Sequence, residues 1–156
     1  MSSQSYSNSK RSERKSELKR LVDAHIPVGI IAYLDDETIG WCSVAPKETH
    51  VRLKRFTSIC IEDHGNTWSI VCFFLKRQLR GSGFTVSLIR AAVDYATAHG
   101  AEIVEAYPVE PAWDVHGNWQ PAKSYQFMGY SSSFLKAGFQ DVTPAMSQRK
   151  IVQYKV

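Results

Sequence analysis

Apolar positions along this chain fall into short runs separated by polar turns, and one long stretch changes period part-way. Residues 67–100 read TWSIVCFFLKRQLRGSGFTVSLIRAAVDYATAHG. The run 68–75 is apolar and rich in β-formers, which predicts a buried strand. Residues 76–80 are polar and cationic. The spacing then turns helical: Val86, Ile89, Val93 and Ala96 share one face, with Leu88, Ala92 and Tyr95 beside it. Gly100 is a helix stop, and His99 suits the negative end of the helix dipole. Between strand and helix, Gly81 and Gly83 allow a tight turn and close approach of a ligand to the backbone. A glycine turn feeding a helix N-terminus gathers unpaired N–H groups, an arrangement suited to phosphate.

The flanking pattern predicts a helix over 11–25, with Leu18, Leu21, Val22 and His25 on one face and Pro27 ending it. Strands at 28–34 and 38–44 are joined by a short hairpin at Asp35-Asp36-Glu37. A short helix at 48–55 carries Val51 and Leu53, a brief strand follows at 58–61, and 62–66 is a polar turn. Beyond the central unit come a strand at 102–107 and a loop rich in proline and tryptophan at 107–124. A helix at 130–137 is capped by Gly138, and strands at 139–142 and 148–154 complete the chain. The order implies a mixed α/β (α+β type) fold with a parallel pair at its centre. Residues 1–10 are serine-rich and read as a disordered tail; residues 11–156 read as a single domain.

Composition narrows the class. Hydrophobic content of 44% and charged content of 22% are ordinary for a globular protein. No apolar run is long enough for a membrane span, and the N-terminus lacks the apolar core of a secretory signal. Cys42, Cys60 and Cys72 match neither a zinc motif nor a disulfide framework, so the expectation is a reducing cytoplasm and no metal. The formal charge of +4 is carried by residues 10–20, where Lys10, Arg11, Arg14, Lys15, Lys19 and Arg20 face only Glu13 and Glu17. No aromatic residues interleave with these cations, so they read as a solvated helix face and not as a nucleic-acid surface.

The glycine loop fits neither of two common phosphate loops. No Gly-Lys-Ser/Thr closes it as in the Walker pattern, and Val86 stands where a dinucleotide fingerprint has its third glycine. Gln78-Leu79-Arg80-Gly81-Ser82-Gly83 resembles the Gln/Arg-x-x-Gly-x-Gly/Ala signature of the GNAT N-acetyltransferase superfamily. Gly40-Trp41-Cys42-Ser43-Val44-Ala45-Pro46 resembles the third strand of an uncharacterised bacterial subgroup. Ser124-Tyr125-Gln126-Phe127-Met128-Gly129 and Phe134-Leu135-Lys136-Ala137-Gly138-Phe139 resemble its last helix and following strand, so the likeness spans roughly residues 20–156. The resemblance implies a mixed sheet whose parallel strands splay apart, flanked by helices. The family's first strand has no counterpart here, which would leave the strand at 28–34 as a bare edge and invites a homodimer.

The resemblance also implies acetyl-coenzyme A as cosubstrate, with no metal. Phe73, Phe74 and Leu75 would pair their backbone with the pantetheine amides. The loop Gln78, Leu79, Arg80, Gly81, Ser82, Gly83, Phe84 and Thr85 would hold the pyrophosphate, with charge from Arg80 and Lys76. The plain alternative for Phe73 and Phe74 is core packing, since adjacent strand residues point to opposite faces. Transfer to an amine needs a base for the ammonium proton and an acid for the thiolate. The family's usual acid, a tyrosine four residues before the helix glycine, is replaced here by Phe134. Tyr130, one turn earlier, is the candidate acid, with Ser131 and Ser133 as weaker ones. Glu105, two residues from Tyr107 on one strand face, is the candidate base; an ion pair on the sheet is its structural alternative. Glu62, Asp63, His64 and His116 read as turn or exposed residues. Trp113, Trp119, Tyr125 and Phe127 could pack on the acceptor or anchor the loop, while Glu105, Glu110 and Asp114 would suit a cationic amine. The expected activity is direct acetyl transfer to a primary amine of a small molecule or peptide. The alternative is a catalytically degenerate coenzyme A-binding sensor or interaction module.

Overall fold

The alternating strands assemble into one six-stranded sheet whose order is β1-β2-β3-β4-β8-β7. The structure, a computed structural model, describes residues 9–51, 53, 66–122 and 124–156. The main elements are α1 (Arg11–Asp23), β1 (Ile30–Leu34), β2 (Glu37–Pro46), β3 (Thr67–Leu75) and α2 (Phe84–Ala98). They continue with β4 (Ile103–Ala106), β5 (Ala112–Trp113), β6 (Trp119–Gln120), α3 (Ser131–Lys136), β7 (Gln140–Asp141) and β8 (Val152–Lys155). All pairings in the large sheet are antiparallel except β3 with β4, where Thr67 to Ile70 run alongside Ile103 to Ala106. This is the mixed α/β architecture with a central parallel pair that the pattern implies.

The β1–β2 hairpin turns on two residues, with Leu34 opposite Glu37 and Asp35 in the left-handed region at φ 50°. Aspartate tolerates that conformation better than most residues. Helix α2 buries the face read from its spacing: Leu88, Ile89, Ala92, Val93 and Ala96 are buried, and Val86 and Tyr95 pack beside them. Gly100, at φ 83°, ends it. The stripe meets Cys42, Val44, Trp68, Ile70, Val104, Ala106 and Val152 from one face of the sheet. On the other face, Leu53, Tyr107, Met128 and Ile151 form a second, smaller cluster.

Three expectations need correction, and one falls outside the described residues. Helix α1 stops at Asp23, and none of its residues is buried; Leu18 and Val22 are exposed, so its narrow apolar stripe covers no core. Of the helix expected at 48–55, part lies outside the described residues; those described include a 3-10 turn at Lys47–Thr49, and of the two apolar residues expected on that helix only Leu53 is buried. The brief strand at 58–61 and the acidic turn with Glu62, Asp63 and His64 lie outside the described residues. The long loop contains a two-stranded hairpin, with Trp113 opposite Trp119. Asp114 builds its turn by accepting hydrogen bonds from the N–H groups of His116 and Asn118, each at 2.9 Å.

Candidate functional site

The parallel pair separates where β4 ends. Pairing stops at Ile70 and Ala106, yet β3 continues to Leu75 with, among the described residues, only β2 paired at its side. The chain leaving β4 is drawn elsewhere. Val109 N–H donates to the Gly129 carbonyl at 2.9 Å, and Ser131 N–H donates to the Val109 carbonyl at 3.3 Å. That bridge pulls the continuation of β4 towards α3 and opens a wedge beside the free edge of β3. Phe73 and Phe134 meet edge to face at its floor, 5.8 Å between ring centres. Gly129 makes the contact possible: at φ 80°, a Cβ there would sit 3.1 Å from the Phe134 ring and 3.2 Å from Phe73. The result is an open cleft of about 740 Å3.

One end of the cleft is the glycine loop. Arg80, Gly81, Gly83, Thr85 and Val86 line it. Gly81 and Gly83 have φ of 80° and 90°, and a Cβ built on either meets nothing within 4 Å. The left-handed turn is thus needed for the backbone path, and the space beside it is open. The first bonded N–H groups of α2 are those of Val86 and Ser87, both to the Gly83 carbonyl. The N–H groups before them are the unsatisfied donors of a helix start, with the positive end of the dipole behind them. Arg80 braces the loop by donating from Nε to the Leu75 carbonyl at 3.1 Å, and Ser82 Oγ donates to the Leu79 carbonyl at 2.6 Å. Leu79 and Arg80 spend their own N–H groups on the Lys76 and Arg77 carbonyls. Gln78 is exposed and Phe84 half-buried. Lys76 is ion-paired with Glu37, whereas Lys136 from α3 lines the cleft.

The other end is aromatic. Phe73, Phe74, Trp119, Phe127 and Tyr130 all line it. Phe74 is exposed and Phe73 faces the core, as the alternation of a strand requires. Tyr130, just before α3, accepts from the Ala122 N–H at 3.3 Å, and its ring meets Trp119 edge-on at 5.8 Å. Ser133 also lines the cleft. Phe134 is fully buried and also packs on Phe139.

Glu105 lies apart from this cleft. It has no exposed surface and sits opposite Ser69 across the parallel pair. Three donors reach it: Lys47 Nζ at 3.1 Å, Tyr107 Oη at 2.5 Å and Gln153 Nε2 at 2.7 Å. The carboxylate therefore ties the end of β2 to β4 and β8, which is the structural alternative read for it. The environment is polar and paired. Glu110 pairs with Lys150 at 3.7 Å and Asp114 is spent on its hairpin, so neither acid lines the cleft. Trp113 and Tyr125 are exposed outside it, the latter under the Arg149 guanidinium. Lys136 and Pro121 are cleft residues to which the sequence assigned no role: Lys136 lies within the stretch 134–139 that carries the resemblance, and α3 and the hairpin bring the two into the cleft.

The family model described as "Acetyltransferase (GNAT) family" matches this chain over residues 2–117. The chain belongs to the GNAT family. Among solved structures it is similar to a ribosomal-protein-alanine N-acetyltransferase from Brucella melitensis, with a TM-score of 0.55 at 12% identity, covering 95% of this chain and 80% of that one. It is similar to an acetyltransferase from Bacillus subtilis in complex with CoA, with a TM-score of 0.51 at 17% identity, covering 88% and 84%. An aminoglycoside acetyltransferase solved with ribostamycin and coenzyme A gives a TM-score of 0.50 at 19% identity, covering 80% and 62%. At such identities the likeness is one of fold. No curated protein matches the sequence.

Proposed function

We propose that this GNAT protein is an N-acetyltransferase that takes acetyl-coenzyme A directly to a primary amine. The observation that carries the reading is the open cradle at Gly81 and Gly83, continuous with the unpaired edge of β3. The backbone of Phe73, Phe74 and Leu75 offers the peptide groups that an extended pantetheine arm pairs with. The donors for the pyrophosphate narrow to the N–H groups of Gly81, Ser82, Gly83, Phe84 and Thr85, since Leu79 and Arg80 use theirs within the turn. The Arg80 and Lys136 side chains add positive charge, and Gln78 has no part in the cleft lining. Acetyl-coenzyme A supplies an activated thioester, so no covalent enzyme intermediate is needed.

Tyr130 is the acid in this reading. It lines the cleft, while the family position is filled by a buried phenylalanine with no proton to give. Glu105 is an anchor, and the ammonium proton leaves to water through the open cleft. We place the protein in the cytoplasm on its cysteine usage; among the described residues no helix is long and apolar enough to cross a membrane.

The buried Phe134 also favours a second reading, a coenzyme A-binding module without turnover. Thiol release from acetyl-coenzyme A in an amine panel separates the two. Release that depends on amine supports the enzyme; tight calorimetric binding of coenzyme A with no release under any amine supports the module.

A further inference from the structure

The cleft has a composition that restricts its acceptor. Its charged lining residues are Arg80 and Lys136, both cations. Among the described residues no carboxylate lines it, and the nearby acids are committed. Asp114 accepts from the backbone of His116 and Asn118 and from the side chains of Asn118 and Gln120. Glu110 faces Lys150, Glu37 faces Lys76, and Glu105 is buried beneath Lys47. The aromatic part of the lining is accessible: Trp119 is 52% exposed and Phe127 50%. The Trp119 ring touches Tyr130, the acid of the proposed reaction.

We infer that the acceptor is an amine carried on a flat, apolar skeleton with no second positive charge. The inference rests on the acetyltransferase reading and specifies its substrate class. A half-exposed indole gains most by covering a planar apolar surface, which removes area from water on both partners. Among the described residues a polyammonium finds no carboxylate in the cleft to pair with its further charges, so it is selected against. Trp119 is the specificity-determining residue, and it acts through acceptor binding.

Coenzyme A release is measured with acetyl-coenzyme A and, in parallel, 2-phenylethylamine, tryptamine, spermine and kanamycin. The expected kcat/KM favours the two aryl amines by at least about tenfold, the fold-change that covering a ring of this size supplies. Trp119→Ala raises the KM for the aryl amine by about tenfold with little change in kcat, and Trp119→Phe restores most of it. Equal or better turnover of spermine or kanamycin overturns the inference, as does an unchanged aryl-amine KM in Trp119→Ala. If no amine is turned over while calorimetry shows coenzyme A bound, the module reading replaces the acetyltransferase one and the inference falls with it, while the cofactor site stands. If coenzyme A itself does not bind, the acetyltransferase reading fails and takes the inference with it.

Discussion

At the scale of single residues, burial and hydrogen bonding decide which titratable groups serve chemistry. Glu105 has three donors and no exposed surface. Removing its charge strands Lys47, whose side chain is only 16% exposed. Glu105→Gln is therefore expected to cost about 3 kcal/mol of stability, the usual penalty for breaking a buried pair, while kcat measured well below the melting point stays within about threefold of wild type. A tenfold fall in kcat with unchanged stability would return Glu105 to the role of base. Tyr130→Phe is expected to do the reverse: kcat falls about tenfold or more, and urea denaturation is little altered. His50 carries a different signal. Burial pushes its imidazole pKa below the ordinary value, and its Nε2 has no hydrogen-bond partner among the described residues. The folded state thus prefers the neutral ring. Its contribution to stability is complete above about pH 6.5, the unfolded value, and is lost as pH falls from there towards the folded pKa. Urea midpoints at pH 5, 6 and 7 are expected to drop towards acid, and His50→Gln is expected to flatten that slope. A slope identical in both proteins would assign the effect to other groups.

At the scale of elements, the strand-loop-helix unit explains both what was legible in the sequence and what was not. β3 and α2 announce themselves because each has one buried face set by local periodicity, and Gly81, Gly83 and Gly100 punctuate them with left-handed turns. The expected bounds of these elements are met to within two residues. The wedge itself is invisible locally. It depends on Val109 bonding to Gly129, twenty residues away and across a hairpin whose Asp114 turn breaks up what reads as featureless loop. The same remoteness hid the place of Lys136 in the cleft, and it let Glu105 look like a base when its partners come from β2 and β8. The loop is where a substitution speaks most directly to the cofactor. The space beside Gly81 and Gly83 is open, so Gly81→Trp or Gly83→Trp fills the cradle without displacing protein atoms. The left-handed φ costs about 1 kcal/mol in either variant, too little to unfold a domain of this size. Calorimetry is expected to show coenzyme A binding lost in both, with circular dichroism unchanged. Unchanged affinity in both would remove the loop from the site.

At the scale of the whole molecule, the sheet ends in the five-residue strand β1 on one flank and the two-residue strand β7 on the other. Among the described residues β1 pairs only with β2, so its outer edge has unpaired N–H and C=O groups. Ile31 and Tyr33 stand exposed at 54% and 61%, with Leu34 at 49% beside the turn. Helix α1 shields none of this: it buries no residue, and Leu18 and Val22 add to the apolar surface. Edges of this kind are usually blunted by charge, by a bulge or by cover. Here the bulge between Ala32 and Tyr33 and the acids Asp35 and Asp36 act only near the hairpin end. A second copy is the partner whose surface is matched by construction, since a two-fold axis places the same apolar strand opposite itself. The protein is expected to sediment as a dimer at micromolar concentration. Tyr33→Lys places like charges across the two-fold axis and is expected to shift it to monomer without loss of the melting transition. Sedimentation of the wild type as a strict monomer, with fast amide exchange along β1, would refute the dimer and leave the edge open to solvent.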